Sequence, residues 1–313
     1  MKVVMINDCA FVGQTLLKYL PPEFEKQHIK RGRGLWSKTF SLAYNILRAR
    51  GDAYHVNYLL QDCYIASRLG KRPLVGHGHG SDIRQSLHHP VWGRIVRHNL
   101  KHCDEILVST PDLLRAAQQY GRKVEYLPNP VDTDVFYPEP SQTRQERLRV
   151  LVASICDWRV KGTDTAIRAL SELKADLDVS IIGYGKDLDA TLSLAESLGL
   201  HLRVLPKIRH EDLREYYWKA DIVFDQFRLG VIGMIALEAI ACGRPAITFI
   251  SSQHPEYEDF PLKDVDTVDK VVAALGSASP KLWEGEYKYL IENHEPRKVG
   301  KRLGDIYTSL NRQ

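Results

Sequence analysis

At 313 residues, with 44% hydrophobic and 26% charged side chains, the chain has the make-up of a soluble globular protein. It is long enough for two domains of roughly 100–150 residues each. A formal net charge of +4 is too mild to mark a nucleic-acid binder, although it suits an anionic ligand or a membrane surface. Five scattered cysteines (Cys9, Cys63, Cys103, Cys156, Cys242) without a CxxC pair imply neither a disulfide framework nor a zinc site, and fit a reducing cytoplasm.

The N-terminus "MKVVMIND" reads as a β-strand, not as an export signal, and no apolar run approaches the length of a membrane span. Strands and helices then alternate: "KVVMI", a helix near Val12 to Leu20, "YHVNY", a helix near Gln61 to Leu69, "PLVGH", a helix near Val91 to Lys101, "EILVS", a helix near Pro111 to Gln119, and "VEYL". This order predicts a parallel sheet covered by helices on both faces. The pattern breaks at "PNPVDTDVFYPEPSQTRQERLR", an aperiodic stretch that reads as an interdomain linker. It restarts with "RVLVASI", a helix near Lys161 to Leu173, "DVSIIG", a helix near Leu188 to Leu198, "LRVL", a helix near Glu211 to Lys219, "DIVFD", a helix containing Glu238, and "PAITF". The tail reads as two helices separated near Glu295–Pro296. Two doubly wound units are expected.

In open parallel sheets, ligands bind beyond the carboxyl ends of the strands. Gly230 and Gly233 lie between "DIVFD" and the next helix, where bare backbone N–H groups and a helix N-terminus can meet a phosphate. Glu238 is a carboxylate in an apolar segment. Placed on one helical face with Val231, seven residues earlier, it could accept two hydrogen bonds from a ribose diol; the alternative is a carboxylate satisfied by neighbouring protein groups. Arg159 and Lys161 follow the first strand of the second unit, where two cations could straddle a diphosphate; Lys161 could instead be a solvated helix-start lysine. No acidic DxD pair occupies a suitable loop, so no metal is expected. Asp225 ends "DIVFD" and could equally cap the following loop. Gly183 and Gly185 in "IIGYGK" follow a strand and precede a helix. Gly13 opens the first helix and either approaches a ligand or makes an ordinary turn. His77 and His79 form an HxH pair without a third metal ligand at recognisable spacing, and a core histidine bonded to backbone is the other reading, more suited to His77.

These stretches have a collective likeness. "GMIALEAIACGRPAI" resembles the signature of the nucleotide-sugar-binding domain of GT-B glycosyltransferases of the retaining family 4 type. "GHGHGSD", "YLPNPVDTDVFYP", "RVKGTDTAIRAL", "IIGYG" and "YYWKADIVF" resemble further family segments in the correct order, across nearly the whole chain. The resemblance implies two Rossmann-like doubly wound domains facing across a cleft. An acceptor-binding domain would comprise 1–138 plus a crossover helix at 296–313, and a nucleotide-sugar-binding domain 139–295. It further implies a nucleoside-diphosphate sugar as donor, His79 facing the donor sugar, Arg159, Lys161 and Glu238 as site residues, and donor contacts from Gly13, Gly183, Gly185, Asp225, Gly230, Gly233 and Met234. The chain departs from the family at Gly230, which stands where a second glutamate is usual. That departure leaves open a catalytically inactive binding or scaffolding subunit as the alternative, whereas a Rossmann dehydrogenase is disfavoured because "NDCAFVGQ" is not GxGxxG.

Basic residues concentrate early, at Lys26, Lys30, Arg31, Arg33, Lys38, Arg48 and Arg50, interleaved with Trp36 and Phe40. Such a surface reads either as a contact for anionic lipid and a lipid-linked or glycan acceptor, which would make the protein peripheral on the inner face of a membrane, or as a solvated face. No nucleic-acid partner is expected.

Overall fold

The structure is a computed structural model that describes residues 1–32, 34, 37–139, 147–173 and 175–312, with the side chains of 37 and 38 left aside. Arg33, Trp36 and the Lys38 side chain of the basic segment, and the middle of the linker, lie outside the described residues. The chain divides into two compact units, Met1–Pro130 with Asn293–Gln313, and Val131–Glu292.

The first unit runs β1 (Lys2–Ile6), α1 (Val12–Tyr19), β2 (Glu25–Ile29), α2 (Leu42–Arg48), β3 (Ala53–Asn57), α3 (Gln61–Arg68), β4 (Leu74–Gly78), α4 (Ser81–Arg84), α5 (Trp92–His102), β5 (Glu105–Val108), α6 (Leu114–Gln118) and β6 (Val124–Tyr126). Its six strands are all parallel in the order β2-β1-β3-β4-β5-β6. The apolar run of β1 is continuous, not alternating, because helices cover both faces of a parallel sheet; Val3, Val4, Met5 and Ile6 are fully buried. Strand β2 was not expected from the sequence. Its segment "EKQHI" is polar because it forms the sheet's edge and pairs only with β1, from Lys2↔Glu25 to Ile6↔Ile29. Helices α2 and α4 were also not anticipated.

The second unit runs β7 (Leu148–Val152), α7 (Thr163–Glu172), β8 (Leu177–Ile182), α8 (Leu188–Ser197), β9 (Leu202–Leu205), α9 (Leu213–Lys219), β10 (Ile222–Phe224), α10 (Met234–Ala241), β11 (Ala246–Ile247), α11 (Val268–Ser277) and α12 (Pro280–Asn293). Its parallel order is β11-β10-β7-β8-β9. Helix α11 is a further element the sequence reading lacked.

The last helix, α13 (Pro296–Leu310), belongs to the first unit and packs on α1. The approach is close. A Cβ on Gly300 would sit 2.3 Å from the Tyr19 carbonyl oxygen, so only glycine lets the two backbones meet there.

Each sheet has one place where the winding direction reverses, between β1 and β3 in the first unit and between β7 and β10 in the second. Loops leave in opposite directions there and open a crevice beyond the carboxyl ends, where ligands of this fold class bind.

Candidate functional site

At the β7/β10 switch of the second unit, the structure gathers several of the expected residues. Asp225 follows β10 directly, and its side chain is completely buried. Lys161, at the end of the loop after β7, places Nζ 3.2 Å from Asp225 Oδ1. Ser154 Oγ donates to the Asp225 carbonyl, tying the two loop starts together. Asp225 Oδ2 has no hydrogen-bond partner among the described residues. It lies 2.0 Å from where a Cβ on Gly233 would be, so the carboxylate occupies the space that any other residue at 233 would fill. Gly233 is the N-cap of α10, and Met234 is that helix's first residue. The turn therefore presents bare backbone at a helix N-terminus directly above a Lys–Asp pair. Backbone N–H groups, a helix dipole and a lysine ammonium together favour a phosphate-bearing ligand.

The loop over this site is held by a residue the sequence reading missed. The Gln226 amide donates to the carbonyls of Val231 (2.7 Å) and Phe249 (2.8 Å), and its oxygen accepts from the backbone N–H groups of Arg228 (3.0 Å) and Leu229 (2.7 Å). These four bonds perform the loop capping that Asp225 had been considered for. Gly230 sits in this loop at φ +67°, and a Cβ there would meet Ser251 Cβ at 3.0 Å and the Phe249 ring at 3.2 Å. The left-handed backbone and the crowding favour glycine at this position of the chain, the one where the resemblance implies a glutamate.

Glu238, on α10, is buried, and the protein occupies both its oxygens: His210 Nε2 lies 2.7 Å from Oε1, and the Tyr217 hydroxyl donates to Oε2 at 3.0 Å. Burial and the neighbouring carboxylate push the Tyr217 phenol far above its usual range, so it stays protonated as a donor. A carboxylate has about four acceptor positions, so each oxygen retains capacity for a further donor. The shared helical face proposed for Val231 and Glu238 is corrected by the structure. Helix α10 begins at Met234, and Val231 is a buried loop residue.

Gly185, at φ +128°, packs on the loop after β7; a Cβ would fall 2.4 Å from the Cys156 carbonyl oxygen. Gly183 packs against Val204 of β9, at 2.7 Å from the position of a Cβ. Both glycines thus let the loop after β8 lie flat against its neighbours. Arg159 is exposed on the loop that carries Lys161.

In the first unit, the β1/β3 switch brings together Gly13 and His79. Asn57, the last residue of β3, lies between them: a Cβ on Gly13 would be 2.6 Å from Asn57 Nδ2, and Asn57 Oδ1 lies 2.9 Å from His79 Nε2. The His79 backbone N–H is held by buried Asp82, 3.1 Å from Oδ1, which also accepts from Gly80 and Leu59. Burial pushes the His79 imidazole down to about 3, so it is neutral at ordinary pH. His77 is fully buried beneath it, with ring centroids 4.2 Å apart. His77 Nδ1 lies 3.2 Å from His55 Nε2, and His55 Nδ1 lies 2.7 Å from the Tyr307 hydroxyl of α13. The core role weighed for His77 is thus a side-chain network, and among the described residues its Nε2 has no hydrogen-bond partner. Among the described residues, no group of three or more His, Cys, Asp or Glu is arranged to hold a metal.

Residues 139–259 match the family described as Glycosyl transferases group 1, and residues 16–135 match Glycosyltransferase Family 4. The chain is 29% identical over 274 residues to the GDP-mannose-dependent alpha-(1-6)-phosphatidylinositol monomannoside mannosyltransferase of Mycolicibacterium smegmatis, covering 77% of this chain and 72% of that one. It is 27% identical to D-inositol 3-phosphate glycosyltransferase 1 of Catenulispora acidiphila, covering 66% of this chain and 46% of that relative. Among solved structures, Anabaena HepE in complex with UDP-glucose aligns with a TM-score of 0.77 at 15% identity, covering 99% of this chain and 100% of the other. The sucrose-phosphate synthase of Thermosynechococcus elongatus aligns at 0.73 and 13% identity, covering 99% of both chains. With both halves matched in order and both sheets wound as this fold requires, the chain belongs to the group 1, family 4 glycosyltransferases of the GT-B fold.

Proposed function

We propose that this glycosyltransferase takes a sugar from a nucleoside-diphosphate sugar held by the second unit and transfers it, with retention of anomeric configuration, to a hydroxyl of a glycan or lipid-linked acceptor held by the first. The observation that carries the reading is the Lys161–Asp225 pair under the bare Gly230–Gly233 turn at the β7/β10 switch. Lys161 and Arg159 would neutralise the diphosphate as the glycosidic bond breaks, the task a metal performs elsewhere, so turnover is proposed to be metal-independent. Glu238, oriented by His210 and Tyr217, would receive the ribose diol. His79 would face the donor sugar. The relative from M. smegmatis is named for GDP-mannose and the HepE structure holds UDP-glucose, so both bases belong in the test. Thermal shift with GDP, UDP and ADP should single out one base, since a ligand stabilises only the state it binds. Turnover in EDTA with the matching sugar nucleotide, and the product anomer by NMR, test metal independence and retention. Nucleotide binding without turnover of any matching sugar nucleotide would favour the inactive-subunit reading, for which Gly230 is the specific observation.

Glu238→Gln is expected to weaken nucleotide-sugar binding about tenfold with little loss of fold, because the amide keeps the shape but loses the charge that strengthens hydroxyl–carboxylate bonds. Calorimetry gives the check, and unchanged donor affinity removes Glu238 from the ribose site.

The acceptor side is proposed to meet an anionic membrane surface. Phe40, Tyr44 and Leu47 are exposed, and their spacing of four and three puts Tyr44 and Leu47 of α2 on one side with Phe40 just before the helix. Lys30, Arg31, Arg48 and Arg50 are exposed nearby in the chain. Among the described residues, no helix is long and apolar enough to cross a membrane. Co-sedimentation with vesicles should require anionic lipid and fall with salt, as screening shortens to about 10 Å at 0.1 M; binding indifferent to both would retire the membrane reading.

A further inference from the structure

The Asn57 amide can be oriented in one way only. Its nitrogen lies 3.2 Å from the Asn7 carbonyl oxygen and 3.1 Å from the Met5 sulfur, both acceptors. The amide oxygen therefore faces His79, 2.9 Å from Nε2. An amide oxygen only accepts, so the proton of the neutral ring is on Nε2. Gly13 keeps this arrangement in place from above, since a Cβ there would displace the Asn57 nitrogen. His79 is further fixed by its backbone bond to Asp82 and by the His77 and Tyr58 rings, with centroids at 4.2 and 5.7 Å.

We infer that Asn57 is a positioning residue that locks His79 in the Nε2–H tautomer. His79 then offers its ligand an Nδ1 lone pair that has no hydrogen-bond partner among the described residues, which accepts from a sugar hydroxyl and turns away a carboxylate or phosphate oxygen. The inference rests on the reading of His79 as the residue that faces the donor sugar, and it narrows that sugar to one carrying a hydroxyl at the position His79 meets. A uronate there brings two acceptor oxygens against a third acceptor, and two acceptors without a shared proton repel. The other ring in reach cannot substitute, because His77 is fully buried: its Nδ1 is committed to His55 and its Nε2 is closed off from solvent.

The test uses the full chain labelled with 15N-histidine, with the His79 signals assigned by their loss in His79→Gln. The wild type is expected to show a neutral ring protonated at Nε2. Asn57→Leu, of similar volume but without an acceptor, should release the tautomer and raise the donor KM at least tenfold with a smaller change in kcat. Asn57→Asp keeps an oxygen facing Nε2 but turns its second oxygen against the Asn7 carbonyl and the Met5 sulfur, so it should keep the proton on Nε2 and raise the donor KM less than Asn57→Leu does, at some loss of melting temperature. Thermal-shift titrations should show GDP-mannose or UDP-glucose acting at a concentration at least tenfold lower than GDP-mannuronate or UDP-glucuronate. An Nδ1–H or cationic His79 in the wild type overturns the lock. Equal stabilisation by hexose and uronate forms, or a tautomer released by Asn57→Leu with unchanged KM, overturns the specificity and with it the placement of His79 at the donor, while leaving the nucleotide site of the second unit untouched. If Asn57→Leu does not fold, the wild-type tautomer and the hexose–uronate comparison decide.

Discussion

Replacing Lys161 by alanine is expected to lower kcat by more than a hundredfold, which corresponds to about 3 kcal/mol of transition-state stabilisation. The ammonium does two jobs that the structure allows to be separated. One is toward the ligand: as the sugar leaves, negative charge builds on the diphosphate, and a fixed cation in a site shielded from water stabilises that charge far better than solvent would. The other is toward the protein, because Lys161 Nζ is the ion-pair partner of the Asp225 carboxylate, whose side chain is fully buried. Breaking a partly or fully buried pair by removing one member leaves the other charge uncompensated and costs several kcal/mol. Lys161→Ala should therefore also melt earlier than the wild type. Adding Asp225→Asn removes the stranded charge, so the double variant should recover most of the melting temperature and none of the hundredfold. Single-turnover kinetics with melting curves on the three proteins distinguish the roles. If the double variant regains wild-type kcat, Lys161 acts through the fold and its assignment to the diphosphate is wrong. Arg159, exposed on the same loop, should matter less, with Arg159→Ala acting mainly on donor KM.

Most of the architecture was legible because its signals are local. Continuous apolar runs such as "KVVMI" and "DIVFD" mark strands buried on both faces, and the helical stripes between them leave a parallel sheet as the simplest arrangement. The edge strand Glu25–Ile29 escaped notice for the complementary reason: paired on one side only, it needs no apolar run. Helix α10 was placed correctly around Glu238, with Gly230 and Gly233 in the turn before it, but Val231 was given a helical face although the helix starts only at Met234. The segment from Gly230 to Gly233 is as apolar as the helix itself, and nothing local reveals that Gln226 holds that turn with four hydrogen bonds. The partners of the candidate site residues were invisible in the same way. His210 meets Glu238 across 28 residues, Tyr217 meets it across 21, and Asn57 meets His79 across 22. No spacing rule links such pairs; they become neighbours only once the sheet order is set. The departure at Gly230 was visible as a missing carboxylate, yet the left-handed backbone pressed against Ser251 and Phe249, which favours glycine there, belongs to the three-dimensional structure.

Removing residues from Pro296 onward should unfold the first unit while leaving the second able to bind its nucleotide. Helix α13 is amphipathic, and the stripe formed by Val299, Leu303, Ile306 and Leu310, together with Tyr307, is buried in the described structure. At roughly 1.5–3 kcal/mol for each large apolar side chain taken out of water, these five contribute about 10 kcal/mol. That is comparable to the whole stability of a typical domain, about 5–15 kcal/mol. Other losses add to this. His55 would keep a buried ring nitrogen but lose the Tyr307 hydroxyl that lies 2.7 Å from it, and water entering the gap would undo the burial that holds this imidazole down at about 3, letting it return toward its ordinary value. The backbones of α1 and α13 touch at Gly300, so no side chain is available to close the void. Gly300→Val is a milder version of the same experiment, since its side chain would have to push through the Tyr19 carbonyl, and it should lower the melting temperature of the first unit without removing any apolar surface. Hydrogen exchange resolves the two units. In the truncated chain, β1, β3 and β4 should lose protection while β7, β8 and β10 keep theirs, transfer activity should vanish, and nucleotide binding measured by calorimetry should persist. A truncated protein that remains protected in β1 and β3 and transfers sugar at the wild-type rate would show that α13 is not part of the first unit's core.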